Sequence, residues 1–213
     1  MGKGLSINNL LSDLGYIVSG TDAQARLFEI FPPVEGKIIL EPGCGSGKFG
    51  LSYAMAGCES IMIDIDPEVV EYSRRLRNAL NALRGFPLPT QIRYGNLFRM
   101  KFADNSFDLV FSEGVIDHFS DVERRQKVLD CMTRVSRGLV VVMVSNGLNP
   151  KEVEEDEKIT FTYMGMPPKR QSFKPDELMM RLKNAGLVDI YVEPLYPQVP
   201  KESPILVGWG KKK

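Results

Sequence analysis

The stretch "ILEPGCGSGKFG", residues 39–50, runs from a β-rich apolar segment straight into four glycines, Gly43, Gly45, Gly47 and Gly50, within eight positions. Glycine spacing of this kind builds a backbone that turns sharply and lets a ligand lie against it. Nucleoside triphosphates, dinucleotides and S-adenosylmethionine all rest on loops like this. The triphosphate loop needs GxxxxGK followed by Ser or Thr, whereas here Gly47-Lys48 is followed by Phe49 and the position five before Gly47 is Pro42. The dinucleotide loop fits better, because Gly45, Gly47 and Gly50 satisfy GxGxxG and Asp64 follows about 20 residues on, where a ribose-binding acid belongs. Glu41 argues against it. Pyrophosphate is drawn to helix N-termini by positive partial charge, and a carboxylate at that mouth repels it. The same carboxylate favours a ligand that carries an ammonium and a sulfonium.

The rest of the chain alternates strand and helix from about residue 36. β-rich runs lie at 37–41, 59–64, 90–94, 107–112 and 138–145, with helical spacing between them. In 67–84 the stripe is Val69, Ser73, Leu76, Leu80 and Leu83, behind an Asp66-Pro67-Glu68 start. In 121–136 it is Val122, Leu129, Met132 and Val135, with Ser120 and Glu123 at capping-box spacing. Strands without polar alternation, separated by helices, predict a parallel sheet covered on both faces. Residues 1–35 predict two short helices, the second opening at Thr21/Gln24. Residues 146–173 form a long excursion with a charged run, "KEVEEDEK", and then "FTYMGMPPKRQSF". Excursions of that length beyond a strand often serve as lids. A helix near 175–185, a strand near 187–193 and the apolar run "PILVGWG" follow.

In this order the segments resemble the class I S-adenosylmethionine-dependent methyltransferases. "ILEPGCGSGKFG" is similar to their first motif, "IMIDIDPEVVEYSR" to their second strand and helix, and "IRYGNLFRMKFADNSFDLVFSEGVIDHF" to their third and fourth strands. "SFKPDELMMRLKNAGLVDIYVE" is similar to their late helix and strand. The resemblance implies an α/β, Rossmann-like fold: a seven-stranded, mostly parallel sheet of order 3-2-1-4-5-7-6, last strand antiparallel, flanked by helices. It implies one methyltransferase domain over 1–213, divided into a helical cap (1–35), a cofactor-binding core (36–145), a lid (146–173) and the C-terminal part of the sheet (174–213).

It also implies roles. Glu41 would hold the methionine ammonium, Gly43, Gly45 and Gly47 the close backbone approach, and Asp64 the ribose hydroxyls. Ile65 would pack on adenine, Asn96 and Leu97 would line it, and Glu113 would border the cofactor. Asn96 stands where the family often has Asp. His118, the only histidine, is the candidate general base, although it also belongs to a pattern that caps the next helix. Tyr16, in the N-terminal segment, is a separate candidate to close over the cofactor.

The expected acceptor is a small molecule, methylated at O, N or C. "SEGV" after the fourth strand is unlike the NPPY-type motif of amide and base-amine methylation. Balanced charge, with 27 basic and 27 acidic residues, gives no nucleic-acid field. A magnesium site of the catechol type would draw on Glu113 and Asn146, but Ser145 replaces its acid, so no metal is expected. Glu152, Glu154, Glu155, Asp156 and Glu157 would attract an amine only if they faced the pocket, and the plainer reading is a solvated face. Tyr163, Met164 and Met166 are candidates for an apolar wall. Three cysteines without CxxC spacing and no long apolar window predict a cytoplasmic protein with no membrane partner, and Lys211, Lys212 and Lys213 read as a solvated tail. Two alternatives remain open: an NAD(P)-dependent oxidoreductase, and a non-catalytic S-adenosylmethionine-binding protein.

Overall fold

The computed structural model describes residues 7–158 and 170–213. Its elements are α1 (Ile7–Ser19), α2 (Asp22–Ile30), β1 (Ile38–Pro42), α3 (Lys48–Met55), β2 (Glu59–Asp64), α4 (Pro67–Arg84) and β3 (Thr90–Tyr94), then β4 (Phe107–Glu113), α5 (Val122–Val135), β5 (Ser136–Ser145), α6 (Pro150–Lys158), α7 (Pro175–Asn184), β6 (Leu187–Pro194) and β7 (Ile205–Lys212). Strand order is β3-β2-β1-β4-β5-β7-β6, the order implied by the family resemblance. β7 is antiparallel to both β5 and β6, while β1 with β2, β2 with β3, and β4 with β5 pair in parallel. The chain divides into two compact units, one ending at Leu97 and the other starting at Phe98.

In the first unit, β1 is buried almost throughout and β2 buries its C-terminal half, as strands covered on both faces must. The core joins Leu51 and Ala54 of α3, Met62 of β2, Val70, Leu76 and Leu80 of α4, and Ile92 of β3. Ile17 of α1 and Cys44 of the glycine loop enter the same cluster, so α1 packs onto this core. Asp66 caps α4, accepting from the amides of Glu68 and Val69 ahead of Pro67, and Gly85 ends the helix at φ 76°. The apolar face of α4 is rotated slightly from the predicted stripe: Val70 and Tyr72 are buried and Leu83 is 71% exposed. Thr21 caps α2 as its spacing predicts, accepting from Gln24 N at 3.2 Å.

In the second unit, β4 and β5 are the most buried strands. The N-cap of α5 is Asp121, whose carboxylate accepts from Glu123 N at 2.8 Å, not Ser120. A carboxylate one residue nearer the helix satisfies the same orphan amides. β5 begins at Ser136, with no loop after α5. Part of the excursion is helical: α6 occupies 150–158. Tyr163, Met164 and Met166 lie outside the described residues. Lys211 and Lys212 are not tail residues but the end of β7. Lys211 pairs with Asp189 at 3.1 Å, and Lys212 donates to Asn105 Oδ1 at 2.7 Å and Arg134 O at 2.9 Å. Among the described residues no helix is long and apolar enough to cross a membrane.

Candidate functional site

In the first unit the glycine loop lies between the end of β1 and the start of α3. Gly43, Gly45 and Gly47 adopt φ of 72°, 54° and 74°, the left-handed region that side chains resist. The loop is pinned from three sides. Gly43 N and Cys44 N donate to Ile63 O at 2.8 and 3.1 Å. Gly45 N donates to Asp64 Oδ2 at 3.0 Å, and the Ser73 hydroxyl lies 2.7 Å from Gly45 O. Ser73 explains the polar residue on the apolar stripe of α4: it reaches back to the loop.

Glu41 ends β1 almost fully buried, at 3% exposure, and its Oε2 accepts from Gly50 N at 2.9 Å. The carboxylate thus meets an amide of the first turn of α3, where negative charge is favoured. Asp64 ends β2, and its two oxygens accept from Gly45 N and, at 3.0 Å, from Asp66 N. Burial pushes the Asp64 carboxyl up against the lowering effect of those amides. A carboxylate offers about four lone-pair directions, so Asp64 retains acceptor capacity beyond the two amides. Both acids act on the loop between them. Burial first, then the charges of Glu41 and Asp64, raise the Cys44 thiol well above the usual range. The loop sits in a negative field, hostile to pyrophosphate and favourable to a cation. Lys48, the nearest lysine in sequence, sets its Nζ over the Tyr16 ring, 5.0 Å from the centroid. Ile65 stands 37% exposed just past β2. Asn96 is half-buried after β3, and Leu97 opens a short 3-10 turn, Leu97–Arg99.

In the second unit Glu113 is exposed at the C-terminal end of β4. His118 closes a 3-10 turn, Ile116–His118, and is half-buried. It does not cap α5, which Asp121 does. Sequence reasoning missed its neighbour Asp117, which is 1% exposed and accepts from Ser145 N at 3.1 Å through Oδ2. Burial raises the Asp117 carboxyl, against the pull of His118 and Arg170. An acid inside the apolar run "GVIDHF" was the available signal, because acids are almost never fully buried without a partner. Asn146 is consumed structurally: it donates to Pro200 O and Ser203 O at 2.8 and 2.9 Å and accepts from Leu148 N at 3.0 Å. Both of its amide donors and one oxygen lone pair are thus spent on holding the chain in place, and no group of three or more His, Cys, Asp or Glu side chains suited to a metal occurs among the described residues.

A family model described as a methyltransferase domain matches residues 40–142, just under half of the chain. Ajmaline N-methyltransferase of Rauvolfia serpentina is 26% identical over 180 residues, covering 83% of this chain and 54% of that protein. The chain spans about half the length, or less, of the curated relatives it matches. Magnesium protoporphyrin IX methyltransferase of Synechocystis PCC 6803, solved with bound S-adenosylhomocysteine, superposes with a TM-score of 0.68 at 13% identity, covering 100% of this chain and 90% of that one. A SAM-dependent methyltransferase of Methanosarcina mazei gives a TM-score of 0.67 at 20% identity, covering 86% and 96%.

Proposed function

We propose, from the match of residues 40–142 to the methyltransferase-domain family model, that the chain is an S-adenosylmethionine-dependent methyltransferase acting on a small molecule. The observation that carries this reading is the pair of buried carboxylates, Glu41 and Asp64, facing one glycine loop. Glu41 holds the methionine ammonium. The left-handed glycines let the aminoacyl chain lie on the backbone, and the remaining lone pairs of Asp64 take the ribose hydroxyls. Ile65 offers an apolar face to adenine, with Asn96 and Leu97 at its edge. These residues fit the group by charge and donor set. The curated N-methyltransferase relatives support the small-molecule class.

When bound, the cofactor supplies an electrophilic methyl on a sulfonium, already a good leaving group. What the chain contributes is alignment and exclusion of water. A base is needed only where the acceptor arrives protonated, and His118 is the imidazole placed past β4 for that task. Calorimetric titration with S-adenosylhomocysteine tests the assignment. The wild type should bind it, and Asp64→Ala should lose at least about tenfold in affinity through the ribose contacts. Equal affinity in both proteins rejects Asp64 as the ribose acid.

A further inference from the structure

The first unit holds a recess that none of Gly43, Gly45 and Gly47 borders. It lies among the C-terminal end of α1, the first two turns of α2, and α3, with a volume of about 410 Å³. That size suits a small organic ligand. Its apolar wall is Ile17, Ala25 and Phe28, and its polar members include Asp22, Gln24 and Ser52. All of them belong to one compact unit. Their mutual placement is held by packing: Ile17 enters the core cluster with Leu51 of α3, and the Phe28 ring lies 4.7 Å from that of Tyr53, also on α3.

Gln24 is the unusual member. Glutamine is mostly an exposed residue, yet Gln24, on the first turn of α2, is 4% exposed. Its Nε2 donates to Ser52 Oγ at 2.6 Å. The next bond fixes which way the amide points. A hydroxyl has one hydrogen to give, and that of Ser52 goes to Lys48 O at 2.8 Å, so Ser52 can only accept from Gln24. Gln24 Oε1 is therefore left on the other side, with no hydrogen-bond partner among the described residues. A buried polar atom without a partner is rare in folded proteins and calls for an explanation. Gln24 is not sealed in the core, because it forms part of the recess wall. Its oxygen sits within that wall, and a turn of the terminal amide torsion, which is soft in glutamine, brings it to the opening.

We propose that this recess is a second ligand site, for a small molecule with an apolar body and one hydroxyl or amino donor. The body lies against Ile17, Ala25 and Phe28, and the donor gives its hydrogen to Gln24 Oε1. The Asp22 carboxylate, exposed in the same recess, disfavours an anion. The site does not rest on the methyltransferase reading, since none of the residues assigned to the cofactor lines it.

Saturation-transfer NMR titrations on the full chain test it with four probes of one skeleton: benzyl alcohol, benzylamine, toluene and benzoate. The first two separate a hydroxyl donor from an amino donor. At least one of them should bind about tenfold or more tightly than toluene and benzoate, the margin that one buried hydrogen bond supplies. Ala25→Trp, made at an exposed helix position, fills the recess and should abolish that binding, while S-adenosylhomocysteine affinity stays within about twofold of wild type. Gln24→Met, close in shape but without the oxygen, should cut the preference for the donor probe over toluene to about twofold or less. Should Gln24→Met fail to fold, Ala25→Trp carries the test. No binding of either donor probe, equal binding of toluene or benzoate, or donor binding unchanged in Ala25→Trp overturns the inference. A wild type that holds the donor probe but not S-adenosylhomocysteine would support this site and reject the cofactor reading instead.

Discussion

The Glu41 carboxylate and the Gly50 amide are joined across the glycine loop at 2.9 Å, and the space between them is closed to any side chain: a Cβ on Gly50 would stand 2.7 Å from Glu41 Oε2 and 2.5 Å from Met62 Sδ. Gly50 is thus fixed by contact with a fully buried β2 side chain and with the acid proposed to hold the cofactor. Gly50→Ala should destabilise the protein by about 1–3 kcal/mol, the usual result of forcing atoms into a packed site, and should weaken S-adenosylhomocysteine binding. Urea denaturation measures the first effect and calorimetry the second.

Glu41→Gln keeps the shape and an oxygen acceptor for Gly50 N but removes the charge. It should leave urea stability within about 1 kcal/mol of wild type and lower S-adenosylmethionine affinity about tenfold or more, equivalent to roughly 1.4 kcal/mol. Unchanged affinity would assign Glu41 to the architecture of the loop alone.

The fold was largely legible in the sequence because its signals are local. Asp66-Pro67 and Thr21/Gln24 cap helices as their chemistry dictates, and the apolar runs became buried strands. Glu41 and Asp64 were legible too, since both sit at strand ends beside glycines. What could not be read depends on distant segments. Whether Glu152 and Asp156 face inward is decided by Arg170, 18 and 14 residues away. The burial of Asp117 is decided by Ser145, 28 residues away. The role of Ser73 follows from Gly45, at the same separation of 28. Asn146 offered an amide with metal-ligand chemistry, and only the return of the chain at Pro200 and Ser203 shows that its hydrogen bonds are already committed.

Asp117→Asn also makes a pH prediction. Burial raises the Asp117 carboxyl above its ordinary value of 3.8. Between that value and the folded pKa, the native state holds a proton that the unfolded chain has released. The stabilisation is complete below that ordinary value and is lost as pH rises through the folded pKa. Thermal melts from acid to neutral pH should show this component in the wild type and a flatter profile in Asp117→Asn. A variant whose profile is parallel to wild type would show that Asp117 does not titrate in that window.

Asn146→Ala removes three hydrogen bonds from a fully buried site. At about 1 kcal/mol each, and more for carbonyls left unpaired, the loss should be about 3 kcal/mol or greater. Chemical denaturation measures it. S-adenosylhomocysteine affinity, which depends on the loop of the first unit, should be retained at temperatures where the variant is folded.

The most direct test of the central claim is a thermal-shift titration of the wild-type chain with S-adenosylhomocysteine and, in parallel, with NADH. A ligand that binds only the native state stabilises it by about 2.7 kcal/mol at a hundredfold excess over its dissociation constant. The account predicts a rise in Tm with S-adenosylhomocysteine and none with NADH. A rise with NADH and none with S-adenosylhomocysteine would contradict it.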